Sequence, residues 1–143
     1  MSQDVLDESI ERAGAAAAAI PGVVAVSLGG SFAFGMADEW SDIDLHVYWR
    51  APLASDAERA AILATVADPG SIRAGIHDWG LEDHFAIQGR LTELVYVHLD
   101  DLAASVDTAY DAGLGDEGFA TAQLPYVAAS RVLHDREGAL AAL

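Results

Sequence analysis

The chain contains no cysteine. Disulfides, thiolate metal sites and a cysteine nucleophile are therefore all excluded. Lysine is missing as well. The seven basic residues are all arginine and stand against 23 acids, leaving a formal charge of −16. Without lysine there can be no Schiff-base chemistry and no phosphate-binding lysine of the P-loop kind. So acidic a surface repels polyanions within a Debye length of about 8–10 Å, which disfavours nucleic acid as a partner. A free nucleotide escapes this objection, because a metal ion neutralises its phosphates locally. Long apolar runs are also lacking. The stretch from Ala13 to Ile20 falls well short of the roughly 20 residues that span a bilayer. The acids Asp4, Asp7, Glu8 and Glu11 precede it, where a secretory leader would carry positive charge. The expectation is a cytoplasmic protein with no membrane partner, in which most acids serve solubility.

What is present is enough for a folded core. Of 143 residues, 52% are apolar, which suits one domain over residues 1–143 and leaves little room for a second. Residues 2–19 read as a helix, capped by Ser2 and ended by Pro21-Gly22. Val23 to Leu28 is a short apolar run before glycines, the pattern of a buried strand. Gly29 to Ala37 reads as a glycine-led turn into a short helix. Ser41 to Trp49 alternates, with Ile43, Leu45 and Val47 on one face and Asp42, Asp44, His46 and Tyr48 on the other. Asp56 to Ala67 suits an amphipathic helix stopped at Pro69-Gly70. Asp83 to Gln88 and Leu91 to His98 read as a hairpin joined at Gly89 and Arg90. Asp100 to Ala112 is predicted helical, Gly113 to Gly118 a link, Phe119 to Ala129 a helical piece, Arg131 to Leu133 extended, and Asp135 to Gly138 a turn. Helices alternate with strands first, and strands pair as a hairpin later. The expected class is α+β: two layers, a mixed β-sheet and helices packed mainly on one face.

The chemistry concentrates in residues 29–49, GGSFAFGMADEWSDIDLHVYW. Asp42 and Asp44 leave the same face of one predicted strand, and two adjacent carboxylates repel unless a cation lies between them. A hard divalent ion, Mg²⁺ or Mn²⁺, meets that need with oxygen ligands. Ile43 and Leu45 anchor the strand, so the acids ride on rigid backbone. Gly29 and Gly30 follow a strand and precede a helix that starts near Ser31. That is an arrangement in which backbone N–H groups and the Ser31 hydroxyl can cradle a phosphate. A third carboxylate would complete a two-metal centre for phosphoryl transfer. Glu93, in a strand otherwise poor in acids, is the candidate.

These residues resemble the nucleotidyltransferase superfamily, which includes antibiotic nucleotidyltransferases, DNA polymerase beta and small antitoxins that modify toxins. The matching pattern is Gly30-Ser31, then Gly35, then Asp42-x-Asp44 on a strand, then Glu93 on a later strand. The match is close over residues 22–49, follows the order of elements over 50–98, and is weak beyond residue 100. The resemblance implies a nucleotidyltransferase fold. In it Asp42, Asp44 and Glu93 would be catalytic and hold Mg²⁺, and Gly29, Gly30, Ser31 and Gly35 would bind ATP or another nucleoside triphosphate. It also implies transfer of a nucleoside monophosphate to a hydroxyl or phosphate acceptor, small molecule or protein, with release of pyrophosphate. Two departures bear on the acceptor. Many relatives have Arg just before the second glycine, where this chain has Phe34; Arg73 and Arg90 are the nearest replacements, though surface ion pairing is the plainer expectation for both. Relatives that modify small molecules carry a further helical domain, whereas this sequence ends soon after His134-Asp135-Arg136-Glu137-Gly138. Either such a domain lies beyond it, or a partner protein or a second copy supplies the missing wall.

Two other classes compete. An antitoxin-like or non-catalytic nucleotide-binding module acting with a partner would suit the small size and Phe34, but it has no need of crowded acids. A D-x-D glycosyltransferase would need a longer chain and leaves the GGS turn unexplained. Other residues have plainer readings. His46 is expected to make a structural hydrogen bond, Trp40 and Trp49 to pack in the core or an interface, and His77, Asp78, Glu82, Asp83 and His84 to form solvated loop and strand without zinc-protease spacing. No G-x-S-x-G surrounds Ser31, so a serine triad is not expected.

Overall fold

The computed structural model describes residues 3–29, 41–78, 80–104 and 131–141. Helix α1 (Gln3–Ala18) opens the chain. Leu6, Ile10, Ala13, Ala17 and Ile20 recur at three- and four-residue spacing and are buried, while Asp4, Asp7, Glu8 and Glu11 face solvent. Burial of each large aliphatic side chain contributes about 1.5–3 kcal/mol, so a charge at Ile10 would detach the helix. Ser2, the expected cap, lies outside the described residues. Helix α2 (Asp56–Leu63) is shorter than the predicted 56–67, and the chain continues as turns over 64–66. The Ser55 hydroxyl caps it by accepting from the Glu58 N–H at 3.2 Å. Residues 99–104 are also helical.

Six strands form one mixed sheet: β1 (Val23–Gly29), β2 (Ile43–Trp49), β3 (Arg73–His77), β4 (Leu81–Ile87), β5 (Arg90–His98) and β6 (Arg131–Asp135). Their order is β3-β4-β5-β2-β1-β6. The β2–β5 pair is parallel and the other pairs are antiparallel. The class is α+β with a mixed sheet, as expected. Strand β3 has no counterpart in the sequence reading. The hairpin turn is Gln88-Gly89 and not Gly89-Arg90, because both turn residues take positive φ (50° and 78°) and their N–H groups donate to the Asp68 carboxylate. Arg90 already belongs to β5.

Alternation sorts the side chains into two faces. Ile43, Leu45 and Val47 of β2, Leu94 and Tyr96 of β5, and Phe85 and Ile87 of β4 join α1 and the end of α2 in the main core. The opposite face is apolar at one end only, where Ala25, Tyr48 and Val97 pack beneath Leu99 and Leu102 of the 99–104 segment. Among the described residues, helical cover is thus mainly, though not wholly, on one face.

Candidate functional site

Among the described residues, the part of the second face that the 99–104 segment does not cover carries the polar residues. On β2 these are Asp44 and His46, with Asp42 just before the strand; on β5 Glu93; on β4 Glu82 and His84. Registration brings them together. Asp44 lies directly across the parallel pair from Glu93, and Glu93 lies directly across the antiparallel pair from His84. The structure therefore gathers Asp42, Asp44 and Glu93 from two strands some fifty positions apart in the chain.

Electrostatics mark Asp44 as the crowded member. Burial, a hydrogen bond with Glu93, and the charges of Glu93, Asp42 and Glu82 push its carboxyl up to about 7. Burial and three neighbouring acids thus favour the protonated form of Asp44, and a cation bound there would relieve the same crowding. The consequence for stability has a definite sign. The folded carboxyl keeps its proton to higher pH than the unfolded one, whose pKa is near 3.8. Its contribution is complete below about pH 4 and is lost as pH rises through about 7. In chelator, the melting temperature of the metal-free protein should therefore fall over this window. The loss should be about 1–2 kcal/mol once solvent screening of a half-exposed group is allowed for. Asp44→Asn should flatten this part of the profile; an unchanged slope in that variant would assign the pH dependence elsewhere.

His46 is largely buried: its Nδ1 makes no hydrogen bond among the described residues, and burial lowers its pKa, so the ring is neutral near pH 7. The ring lies over Gly29 at the end of β1, where an added Cβ would come within 2.9 Å of it. Glycine at position 29 is thus required for the close approach of these two strands. Gly30, Ser31, Gly35, Phe34 and Trp40 lie outside the described residues. Trp49 packs against the main core with its ring 4.5 Å from that of His98, in keeping with a packing role. Arg90 is buried and donates to the Ser41 carbonyl. It braces the approach to β2 and is buried, not at the surface as expected. Arg73 is exposed on β3, at the register position of His84.

Within the stretch from His77 to His84, His77 and Asp78 are exposed as expected, but Asp83 is not solvated. Asp83 is 0% exposed, on the helix face of β4. It accepts from Arg59 Nε at 2.9 Å, from the Tyr96 hydroxyl at 2.6 Å and from the Gly75 N–H at 2.9 Å. Burial and then the Asp83 charge raise the Tyr96 pKa, so it stays a phenol. Arg59 also pairs with Asp56 and lies 5.1 Å from the centre of the Tyr96 ring. Glu82 and His84 flank Asp83 but point the other way, into the acidic patch, with His84 Nε2 3.0 Å from a Glu82 carboxylate oxygen. The signal was available in the sequence: Phe85 and Ile87 are apolar, so parity alone places Glu82 and His84 on the face opposite them.

Among the described residues no helix is long and apolar enough to cross a membrane. No model of a known protein family matches this chain, and no curated protein matches it.

Proposed function

We propose that this chain is a metal-dependent nucleotidyltransferase that moves a nucleoside monophosphate from ATP or another nucleoside triphosphate to a hydroxyl or phosphate acceptor. The observation that carries the reading is the crowding of Asp42, Asp44 and Glu93 on one sheet face, with Asp44 and Glu93 directly opposed across the β2–β5 pair and the Asp44 carboxyl pushed up to about 7. Carboxylates held that closely disfavour the folded state unless a divalent cation binds between them. The glycine-serine sequence that follows β1 adds the phosphate cradle. The same crowding weighs against a non-catalytic module, which gains nothing from it.

In this reading Asp42 and Asp44 bind Mg²⁺ or Mn²⁺. The ion, when bound, supplies charge neutralisation at the triphosphate. Gly29, Gly30, Ser31 and Gly35 orient the phosphates. Glu93, beside Asp44, accepts the proton of the acceptor hydroxyl as its oxygen bonds to the α-phosphorus. The bond from that phosphorus to the bridging oxygen breaks, and its electron pair leaves with pyrophosphate. Positioning and charge provide most of the rate.

Titration calorimetry with ATP and the other nucleoside triphosphates, in Mg²⁺ and in chelator, tests this. Binding should require the metal, and labelled nucleotide should appear on an acceptor from a panel of small molecules and proteins. Binding of equal strength in chelator would remove the metal from the scheme and the proposal with it.

A further inference from the structure

Beyond the acids of β2, the same face holds a second set of ligand types. The Glu82, His84 and Glu93 side chains can each present one donor atom such that all three lie within 4.8 Å of one another. Two ligands on opposite sides of one such cation are separated by about twice a metal–ligand bond of roughly 2.1 Å. A few tenths of an ångström of side-chain adjustment therefore lets all three reach a single ion. His84 Nε2 and Glu82 Oε1 are already 3.0 Å apart, a separation that suits neighbouring ligands on one cation.

We infer that Glu82, His84 and Glu93 form a divalent-cation site of mixed nitrogen and oxygen donors that favours Mn²⁺ or Zn²⁺ over Mg²⁺. The inference adds to the proposed function and does not depend on nucleotide binding. Three features support it. The ligands come from adjacent hydrogen-bonded strands, Glu82 and His84 two apart on β4 and Glu93 directly opposite His84 on β5. Their spacing is thus fixed by sheet registration. The two carboxylates balance the double charge of the ion, while a neutral imidazole adds a ligand without adding charge. All three side chains are half-buried, which limits their hydration and increases the gain from binding a cation.

The donor set decides the ion. Mg²⁺ prefers oxygen ligands and gives up its water reluctantly, so an imidazole contributes little to holding it. Imidazole suits transition-type ions, with Mn²⁺ at the weak end and Zn²⁺ stronger. Asp42 and Asp44 offer oxygen alone. Glu93 stands between the two sets, across from Asp44 on one side and from His84 on the other. The face thus presents an oxygen-only end and a nitrogen-containing end that share one carboxylate.

Pulsed electron paramagnetic resonance of Mn²⁺ added to the chelator-stripped full chain tests the site without nucleotide. Modulation from an imidazole nitrogen should be present in the wild type and in His46→Gln. It should be absent in His84→Ala and in His84→Gln, with circular dichroism confirming that each variant is folded. His84→Gln should weaken Mn²⁺ binding by at least about tenfold and change Mg²⁺ binding by much less. Mn²⁺ bound without nitrogen modulation, or modulation that survives in folded His84 variants or disappears in His46→Gln, would overturn the inference. None of those results would touch nucleotidyl transfer in Mg²⁺. Conversely, a nitrogen-ligated Mn²⁺ in a chain that binds no nucleotide would leave this site standing and remove the proposed function.

Discussion

Asp44→Asn is expected to reduce nucleotidyl transfer on the order of 10³-fold or more, while leaving the metal-free protein at least as stable as wild type. The loss follows from the position of Asp44 between Asp42 and Glu93. In the proposed mechanism, removing its charge would weaken the hold on the cation, and with it the neutralisation on which transfer would depend. Loss of one well-placed electrostatic group costs roughly 10²–10³-fold, and loss of a metal ligand should cost no less. The stability gain follows from the same crowding. In the folded chain the Asp44 carboxylate meets burial and three neighbouring acids; in the unfolded chain it meets water. An amide of the same shape carries no charge to repel. Steady-state kinetics with Mg²⁺, together with melts in chelator at pH 8, measure both halves. A drop of several degrees in the melting temperature of the variant would show that Asp44 is held by stabilising partners. Such a result would weaken the metal reading of the whole face.

The second large effect is on stability alone. Asp83→Ala should cost about 3–5 kcal/mol, the usual penalty for removing one partner of a buried ion pair, and lower the melting temperature by roughly 10–15 °C. Asp83 is the shared acceptor of a side chain from α2, a hydroxyl from β5 and a backbone N–H from β3. Its loss removes the buried partner of the Arg59 guanidinium, leaving only the exposed Asp56 to balance its charge, and leaves the Tyr96 hydroxyl and the Gly75 N–H without their acceptor. Gly75 is part of the design. Its φ is +75°, and an added Cβ would come within 2.3 Å of the Asp56 carboxylate. Replacing the pair together, as Arg59→Met with Asp83→Leu, should recover much of the loss because no charge is left buried. Recovery should be incomplete while the Tyr96 hydroxyl lacks an acceptor. Chemical denaturation of the two single variants and the double variant gives the coupling directly. An Asp83→Ala variant within about 1 kcal/mol of wild type would be incompatible with this network.

Sequence alone determined what depends on local period and composition. The spacing of Leu6, Ile10, Ala13 and Ala17 specified the buried stripe of α1. The alternation through Ile43, Leu45 and Val47 placed Asp42 and Asp44 together on the other face of β2, because a strand reverses its side chains at each residue. The absence of cysteine and lysine removed whole classes of chemistry. Tertiary structure decided whatever depends on which strands lie side by side. Glu93 reaches Asp44 only because β5 enters the sheet next to β2 in parallel and in this register. A slip of one residue would have sent Glu93 into the core. Strand β3 escaped notice because Arg73–His77 is short and contains Gly75, so it is a strand by virtue of its pairing with β4 and not by propensity. Asp83 escaped notice for the same kind of reason. An acid among acids reads as solvated until a distant arginine, Arg59, arrives from α2 to neutralise it. Glu82 and His84, on either side of it, were legible by parity. What they face, however, is set by Glu93 on the neighbouring strand, and no local pattern in the sequence contains that contact.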